Sequence, residues 1–246
     1  CEKPIDLDLE RVKECLKTVS EENATLMVGF NRRFDPDFMA LKKAIDDGKI
    51  GDVEMVTISS RDPGAPPAEY IKVSGGIFRD MTIHDFDVAR WLLGEEIATV
   101  QAAASVLTDP EIGKLGDYDS VNVILTTESG KQCTITNSRR ATYGYDQRIE
   151  VLGSKGSVAA ENMRETNIVL ADESGFHQPP LLDFFMTRYI AAYANEIAGF
   201  VAAVSGTTAT PTTGHDGMVA LALADAALLS VAEQRVVKLS ELKVST

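Results

Sequence analysis

An aspartate and a histidine four residues apart, Asp80 and His84, lie in the stretch Gly75-Gly-Ile-Phe-Arg-Asp-Met-Thr-Ile-His-Asp-Phe-Asp-Val-Ala-Arg-Trp-Leu-Leu-Gly94. On an α-helix that interval puts two side chains on one face, about a turn apart. A carboxylate beside an imidazole makes a general base with an orienting partner, and an imidazole of ordinary pKa, near ~6.5, exchanges protons around neutrality. The Gly-Gly entry lets another molecule approach the backbone closely. Asp80, His84, Asp85 and Asp87 together admit a rival chemistry, a shared divalent metal. The proton-handling reading is preferred and no metal is expected. His177 and His215 lack such a partner and are read as surface or structural residues.

A short helix must hold that pair. Ile83, Phe86, Ala89, Trp91 and Leu93 recur at near-helical spacing, and Gly94 supplies the stop. Upstream, Asp6 is placed to cap a helix from about Leu7 to Glu21, with Leu9, Val12, Leu16 and Val19 as its apolar stripe. Thr25-Leu-Met-Val-Gly-Phe30 has the length and apolarity of a buried parallel strand. Helix followed by strand marks a single α/β crossover unit, too little for a doubly wound domain. Asp35-Pro36 reads as an N-cap with proline at the first helical position, followed by a stripe of Phe38, Leu41 and Ile45 and a stop at Gly48.

Downstream the period changes from helical to alternating. Strands are expected at Val53–Arg61, Ala98–Leu107, Val121–Thr127, Gln132–Arg139, Arg148–Leu152 and Asn167–Leu170. Tight turns are expected at Glu128–Gly130 and Gly153–Gly156. Sequential strands joined by such turns predict an antiparallel meander. Two helices, Leu182–Val204 and Gly214–Glu233, close the chain. The fold class expected is α+β: an open, mostly antiparallel sheet with helices on one face, preceded by a small α/β remnant. Ile124, Ile135 and Ile149 are taken to give the open face apolar character and so oligomer contacts.

Composition narrows the function. The chain has 246 residues, 44% hydrophobic and 25% charged, with a net charge of -13. That balance argues against nucleic acid and anionic membranes as partners. No run of about 18 apolar residues is interrupted so little as to read as a membrane span, and the Ala-rich stretch Met218–Ala232 is read as a packed helix. No secretory leader is recognised. Cys1, Cys15 and Cys133 show no metal spacing and are read as free thiols, which fits a reducing, cytoplasmic setting.

Four motifs occur in one order: Glu2-Lys3-Pro4, Met27-Val-Gly-Phe-Asn-Arg-Arg-Phe-Asp35, Gly75-Gly76 with Asp80 and His84-Asp85, and Tyr143-Gly-Tyr-Asp146. With them the chain resembles the inositol 2-dehydrogenase branch of the Gfo/Idh/MocA oxidoreductases over essentially its whole length. The resemblance implies a dehydrogenase that moves a hydride from a hydroxyl-bearing ring carbon to NAD or NADP. It implies a dihydrodipicolinate-reductase-like C-terminal domain behind a Rossmann domain, with Lys3 between cofactor and substrate and Asp80 with His84 handling the hydroxyl proton. Lys3 is then both catalytic and cofactor-binding. A cation beside a developing alkoxide eases loss of its proton, although position three is also where a chain end frays.

Three more residues are assigned to the substrate pocket. Arg32 and Arg33 stand between an apolar run and a helix, a usual place for ligand residues. Arg33 is favoured and the other arginine is left to pair with Asp35 or Asp37. Asp62, in Ser60-Arg-Asp-Pro63, is read as a polyol hydrogen-bond acceptor or a turn aspartate. Tyr143 is read as a sugar-ring contact or a sheet-packing aromatic.

The departure from the family pattern matters equally. The chain has no Gly-x-Gly-x-x-Gly after a strand and no acidic residue some 20 positions beyond it. Residues 1–30 are therefore expected to be the C-terminal remnant of a dinucleotide-binding Rossmann domain, and 31–246 a substrate-binding and oligomerisation domain. The function expected is the C-terminal portion of an NAD(P)-dependent oxidoreductase acting on a cyclic polyol or sugar, with myo-inositol to its 2-keto form favoured. It would form a dimer or tetramer through the open sheet. The alternative is a non-catalytic oligomerising or ligand-binding module.

Overall fold

The first helix, α1 (Leu9–Glu21), begins at Asp8, whose carboxylate accepts hydrogen bonds from the Glu10 and Arg11 amides. Asp6 accepts instead from the Asp8 amide, at 2.9 Å, so the helix starts two residues later than the sequence predicts. These features belong to a computed structural model that describes residues 1–242 and Val244. Thr25–Phe30 is not a strand. It runs extended, with the Val28 amide donating to the Thr212 carbonyl and the Gly29 amide to the Cys1 carbonyl. Its burial was rightly expected, since Val28 and Phe30 are at most 1% exposed. Among the described residues these backbone partners, Thr212 and Cys1, lie outside any strand.

Asn31–Phe34 forms a 3-10 turn that leads into α2 (Pro36–Asp46), capped by Asp35 with proline in the first turn. There follow β1 (Val53–Arg61), α3 (Ala68–Ser74), a π-helical turn over Phe78–Thr82 and α4 (Ile83–Leu93). Next come β2 (Ile97–Ser105), the short α5 (Pro110–Lys114), β3 (Ser120–Thr127), β4 (Gln132–Ser138), β5 (Asp146–Gly153) and β6 (Gly156–Ala160). A small hairpin of β7 (Leu170–Asp172) and β8 (Gly175–His177) precedes α6 (Phe185–Arg188), α7 (Ile190–Val204), α8 (Gly214–Glu233) and β9 (Val237–Lys238).

Seven strands form one sheet in the order β6-β5-β1-β4-β3-β2-β9. Every neighbouring pair is antiparallel except β1 with β4. The mostly antiparallel sheet agrees with the sequence pattern, but the simple meander does not. The β1 strand is inserted between the β3–β4 and β5–β6 hairpins, and a hairpin cannot join parallel strands. The parallel pairing sets Ser60 against Asn137 and Arg61 against Ser138, while Ser60 faces Gln147 on the other side. A row of polar side chains thus crosses the end of three strands.

One face of the sheet carries Val56, Ile58, Val100, Val123, Leu125, Cys133, Ile135, Ile149 and Val151, all buried under α4 and α8. Removing each such large side chain from water is worth about 1.5–3 kcal/mol. The opposite face is mainly Thr57, Gln101, Asn122, Thr134 and Glu150. Ile135 and Ile149 therefore point inward and only Ile124, 45% exposed, points outward with Met55 and Leu152. The period-two alternation decides this: Ile124 is out of phase with Val123 and Leu125. The α8 helix has the length and apolarity of a membrane span, yet it packs into the core along Met218–Ala224.

Candidate active site

A cavity of about 570 Å³ opens where the N-terminal segment, the π-turn, α4 and the ends of β1 and β4 meet. Its wall includes Lys3, Arg32, Asp62, Asp80, His84 and Arg139. The polar row of the sheet builds its floor. Asp85, fully buried on α4, accepts from the Ser60 hydroxyl at 2.7 Å, from Asn137 Nδ2 at 2.8 Å and from Arg32. Asp85 thereby fixes one nitrogen of the Arg32 guanidinium, and burial, which alone would ease proton loss, is outweighed by its charge.

Lys3 is not frayed. Its side chain is 14% exposed, and Nζ donates to the Asp80 carbonyl oxygen and lies 3.4 Å from Asp80 Oδ1. Burial lowers the Lys3 pKa, and the carboxylate of Asp80 opposes that only in part. Asp80 is a hub. Tyr70 donates its phenolic proton to Oδ1 at 2.7 Å and Arg139 Nη2 donates to Oδ2 at 3.0 Å. Burial pushes the Asp80 carboxyl up, but Lys3, Arg139 and Tyr70 together hold it below the ordinary range.

The expected Asp80–His84 partnership is corrected: no hydrogen bond joins them. The helix does not run uniformly through both residues. Asp80 lies in the π-turn, where the extra residue per turn shifts side-chain phase relative to an α-helix, and His84 lies in α4. His84 is half-buried, packs edge-on to the Phe30 ring at 6.2 Å, and its Nδ1 is turned inward with no hydrogen-bond partner. Burial, then the charges of Lys3 and Arg32, push its pKa well below the ordinary histidine value, so it stands neutral. A neutral imidazole keeps one nitrogen lone pair free, and in the wall of a cavity it can accept a proton.

Asp62 lies in the cavity wall, 3.8 Å from Arg139 Nη1, its carboxyl raised to about 6 by burial that Arg139 and Arg32 only partly offset. Arg33 does not reach the cavity. Its fork is spent on Asp87, with Nε donating at 2.8 Å, and on Asp216 at 3.0 Å. Consecutive arginines in the 3-10 turn diverge, and Arg32 takes the cavity side. Tyr143 is also elsewhere: 51% exposed, bonded to Asp146 and to Arg61 at 2.8 Å, in a separate open cleft with Arg148 and Asn162. Gly144, at φ +124, turns the chain between them, and the buried Tyr145 is the tyrosine that faces the cavity.

Tyr70, Arg139, Tyr145 and Tyr189 are site residues that sequence reasoning missed. Arg139 had a usable signal, a second Arg-Arg pair at a strand end; Tyr70 had none. Among the described residues no three His, Cys, Asp or Glu side chains gather as a metal site, and Asp85 and Asp87 are each taken by an arginine.

Known proteins resemble this chain in sequence and in fold. The model of the GFO/IDH/MocA C-terminal domain matches residues 38–159. An inositol 2-dehydrogenase of Rhizobium meliloti is 68% identical over 98% of this chain and 73% of its own length. A myo-inositol 2-dehydrogenase of Thermotoga maritima is 50% identical over 98% of the chain and 72% of its own. A solved scyllo-inositol dehydrogenase from Lactobacillus casei, with bound NAD(H) and scyllo-inositol, is 30% identical and superposes with a TM-score of 0.89 over 97% of this chain and 72% of that one.

Proposed function

We propose, for a chain that belongs to the Gfo/Idh/MocA family of oxidoreductases, that it carries the substrate side of an NAD-dependent dehydrogenase oxidising myo-inositol to its 2-keto form. The observation that carries the reading is His84, held neutral, lining one cavity with the part-buried Lys3–Asp80 pair. His84 takes the proton of the reacting hydroxyl. Lys3 lays its ammonium against the oxygen as negative charge develops there. Asp80 holds Lys3 in position rather than serving as a partner to the imidazole. Arg32 and Asp62 stand ready to fix ring hydroxyls, so that the reacting carbon is presented in one orientation.

NAD, when bound, supplies the hydride acceptor. The residues here that fit its reactive end are Lys3, Glu2 and Gly29, which form one wall of the cavity. A Cβ at Gly29 would sit 3.0 Å from Glu2 Oε2 and 3.3 Å from Glu196 Oε1, so a side chain there would have to displace these carboxylates slightly. NAD is preferred over NADP because the solved Lactobacillus casei relative holds NAD(H). Residues 1–30 are assigned to the closing part of a dinucleotide-binding domain. In support, this segment packs against α7 and α8 and contributes no strand to the main sheet. Self-association through the outer sheet face, around Met55, Ile124 and Leu152, and a cytoplasmic setting complete the assignment.

The non-catalytic alternative is not favoured, because the relatives are named dehydrogenases. Steady-state assays decide the matter. The protein should reduce NAD⁺ with myo-inositol, giving a ketone at one ring carbon. Tight inositol binding with no reduction of NAD⁺ or NADP⁺ would overturn the proposal.

A further inference from the structure

One segment of the cavity wall differs from the rest in how it is attached. Residues 63–74, a Pro63-Gly-Ala-Pro-Pro67 run followed by α3, cover one side of the cavity and are exposed nearly throughout. The prolines stiffen the run, and the Tyr70 and Ile71 amides bond back to the Pro67 carbonyl, so the strap is a preformed unit. Two side chains fasten it. Ile71 is buried at 6% exposure, and the Tyr70 phenol donates to Asp80. The other side-chain hydrogen bonds of 63–74 are local: Lys72 pairs with Glu69, Ser74 donates to the Ile71 carbonyl, and Ser74 Oγ accepts from the Gly76 amide two residues on, so among the described residues the Tyr70 phenol is the strap's side-chain hydrogen bond to the cavity residues.

The bond lands on Oδ1, the same carboxylate oxygen that Lys3 approaches at 3.4 Å. Arg139 holds the other oxygen. Tyr70 and Lys3 therefore draw on one acceptor, at 2.7 and 3.4 Å. We propose that Tyr70 is a positioning residue for the reaction, fixing from the covering strap the Asp80 carboxylate that holds Lys3. This rests on the dehydrogenase reading for its catalytic meaning. Withdrawing the phenol frees Oδ1 for Lys3 and concentrates the carboxylate's charge on the ammonium. The conformation of the strap and the acidity of Lys3 are thereby linked through a single oxygen.

Tyr70→Phe keeps the ring and removes only the hydroxyl. The titration of Lys3, followed as the pH dependence of its acetylation rate by mass spectrometry, should move to higher pH in this variant. The kcat/KM for inositol should fall about tenfold, the scale of one hydrogen bond to a charged group, with its alkaline limb displaced in the same direction. Val73→Ser, on the exposed side of α3, should change neither. An unchanged Lys3 titration in Tyr70→Phe would overturn the proposal, whatever happens to turnover, because a merely structural tyrosine would not move it. The labelling needs neither inositol nor cofactor. A wild-type protein that fails to oxidise inositol would therefore sink the functional reading without touching this result.

Discussion

Two arginines adjacent in sequence anchor two charged clusters on opposite sides of α4, and the clusters differ in what they leave unfilled. Arg33 meets Asp87 and Asp216, and Asp216 also receives Arg90, which in turn meets Glu96. Every strong donor there finds a carboxylate. Arg32 meets Asp85 and Ser60 through one nitrogen, its remaining donors make no side-chain hydrogen bond among the described residues, and it lines the cavity together with the neutral His84. The first cluster is closed and ties the 3-10 turn to α4 and α8. The second has spare valences, which a closed structural network would not retain. Opposite charge alone does not mark a functional site; unsatisfied donors and acceptors around a cavity do.

His84→Ala should separate the two clusters most sharply. It removes the open acceptor and should lower the chemical step about 10²–10⁴-fold, the range for a lost general base, with thermal stability nearly unchanged. Comparing kcat with the melting temperature checks this, and an unchanged kcat would remove His84 from the mechanism. Arg33→Met tests the closed cluster. Asp87 is fully buried, and stripping a buried partner costs about 3–5 kcal/mol, so unfolding midpoints should drop while the inositol KM holds. A large KM change with intact stability would restore Arg33 to the pocket.

Asp62 gives a pH signature on the open side. Its carboxyl sits at about 6 in the folded protein against 3.8 for the free group, so the folded state holds the proton longer. Stability contributed by that proton is present below about 4 and is lost as pH rises towards 6. Asp62→Asn should flatten that decline in urea midpoints. Glu196, raised to about 7 by burial and then by Glu2, keeps a residual slope at higher pH in both proteins. A difference profile with no change between pH 4 and 6 would contradict the Asp62 assignment. The smallest effect is expected at Tyr143. Tyr143→Phe should leave the inositol KM within about twofold, as an exposed hydrogen bond far from the pocket should.

The contrast also shows what a sequence can reveal. Periodicity located β1, β3, β4, α2 and α8 to within a residue or two, because each buries one alternating or helical face. It could not find the parallel β1–β4 pair, whose partners are set by packing and not by turns. The sequence singles out Asp80 and His84, which line one cavity, yet it misreads their relation because a π-turn changes the phase of a four-residue interval without any local sequence mark. The sequence favours Arg33 over Arg32 for the pocket, and the structure reverses that choice. Their divergence depends on which of Asp85 and Asp87 faces the polar row of the sheet, which is a fact of tertiary placement. Tyr70 was invisible since a tyrosine in a proline-rich loop has no pattern to belong to.

The parallel pairing of β1 with β4 bears also on how the molecule is assembled. Ser60 and Asn137 are 77 positions apart, as are Lys3 and Asp80. Contacts that close loops this long form late, after local hairpins and helices. The β3–β4 and β5–β6 hairpins can zip on their own, but the charged floor exists only once β1 has docked between them, and the Lys3 pair only once the N-terminal segment meets the π-turn. On refolding, recovery of turnover should lag recovery of secondary structure, and the catalytic centre is the part of the chain by which completion of folding can be timed.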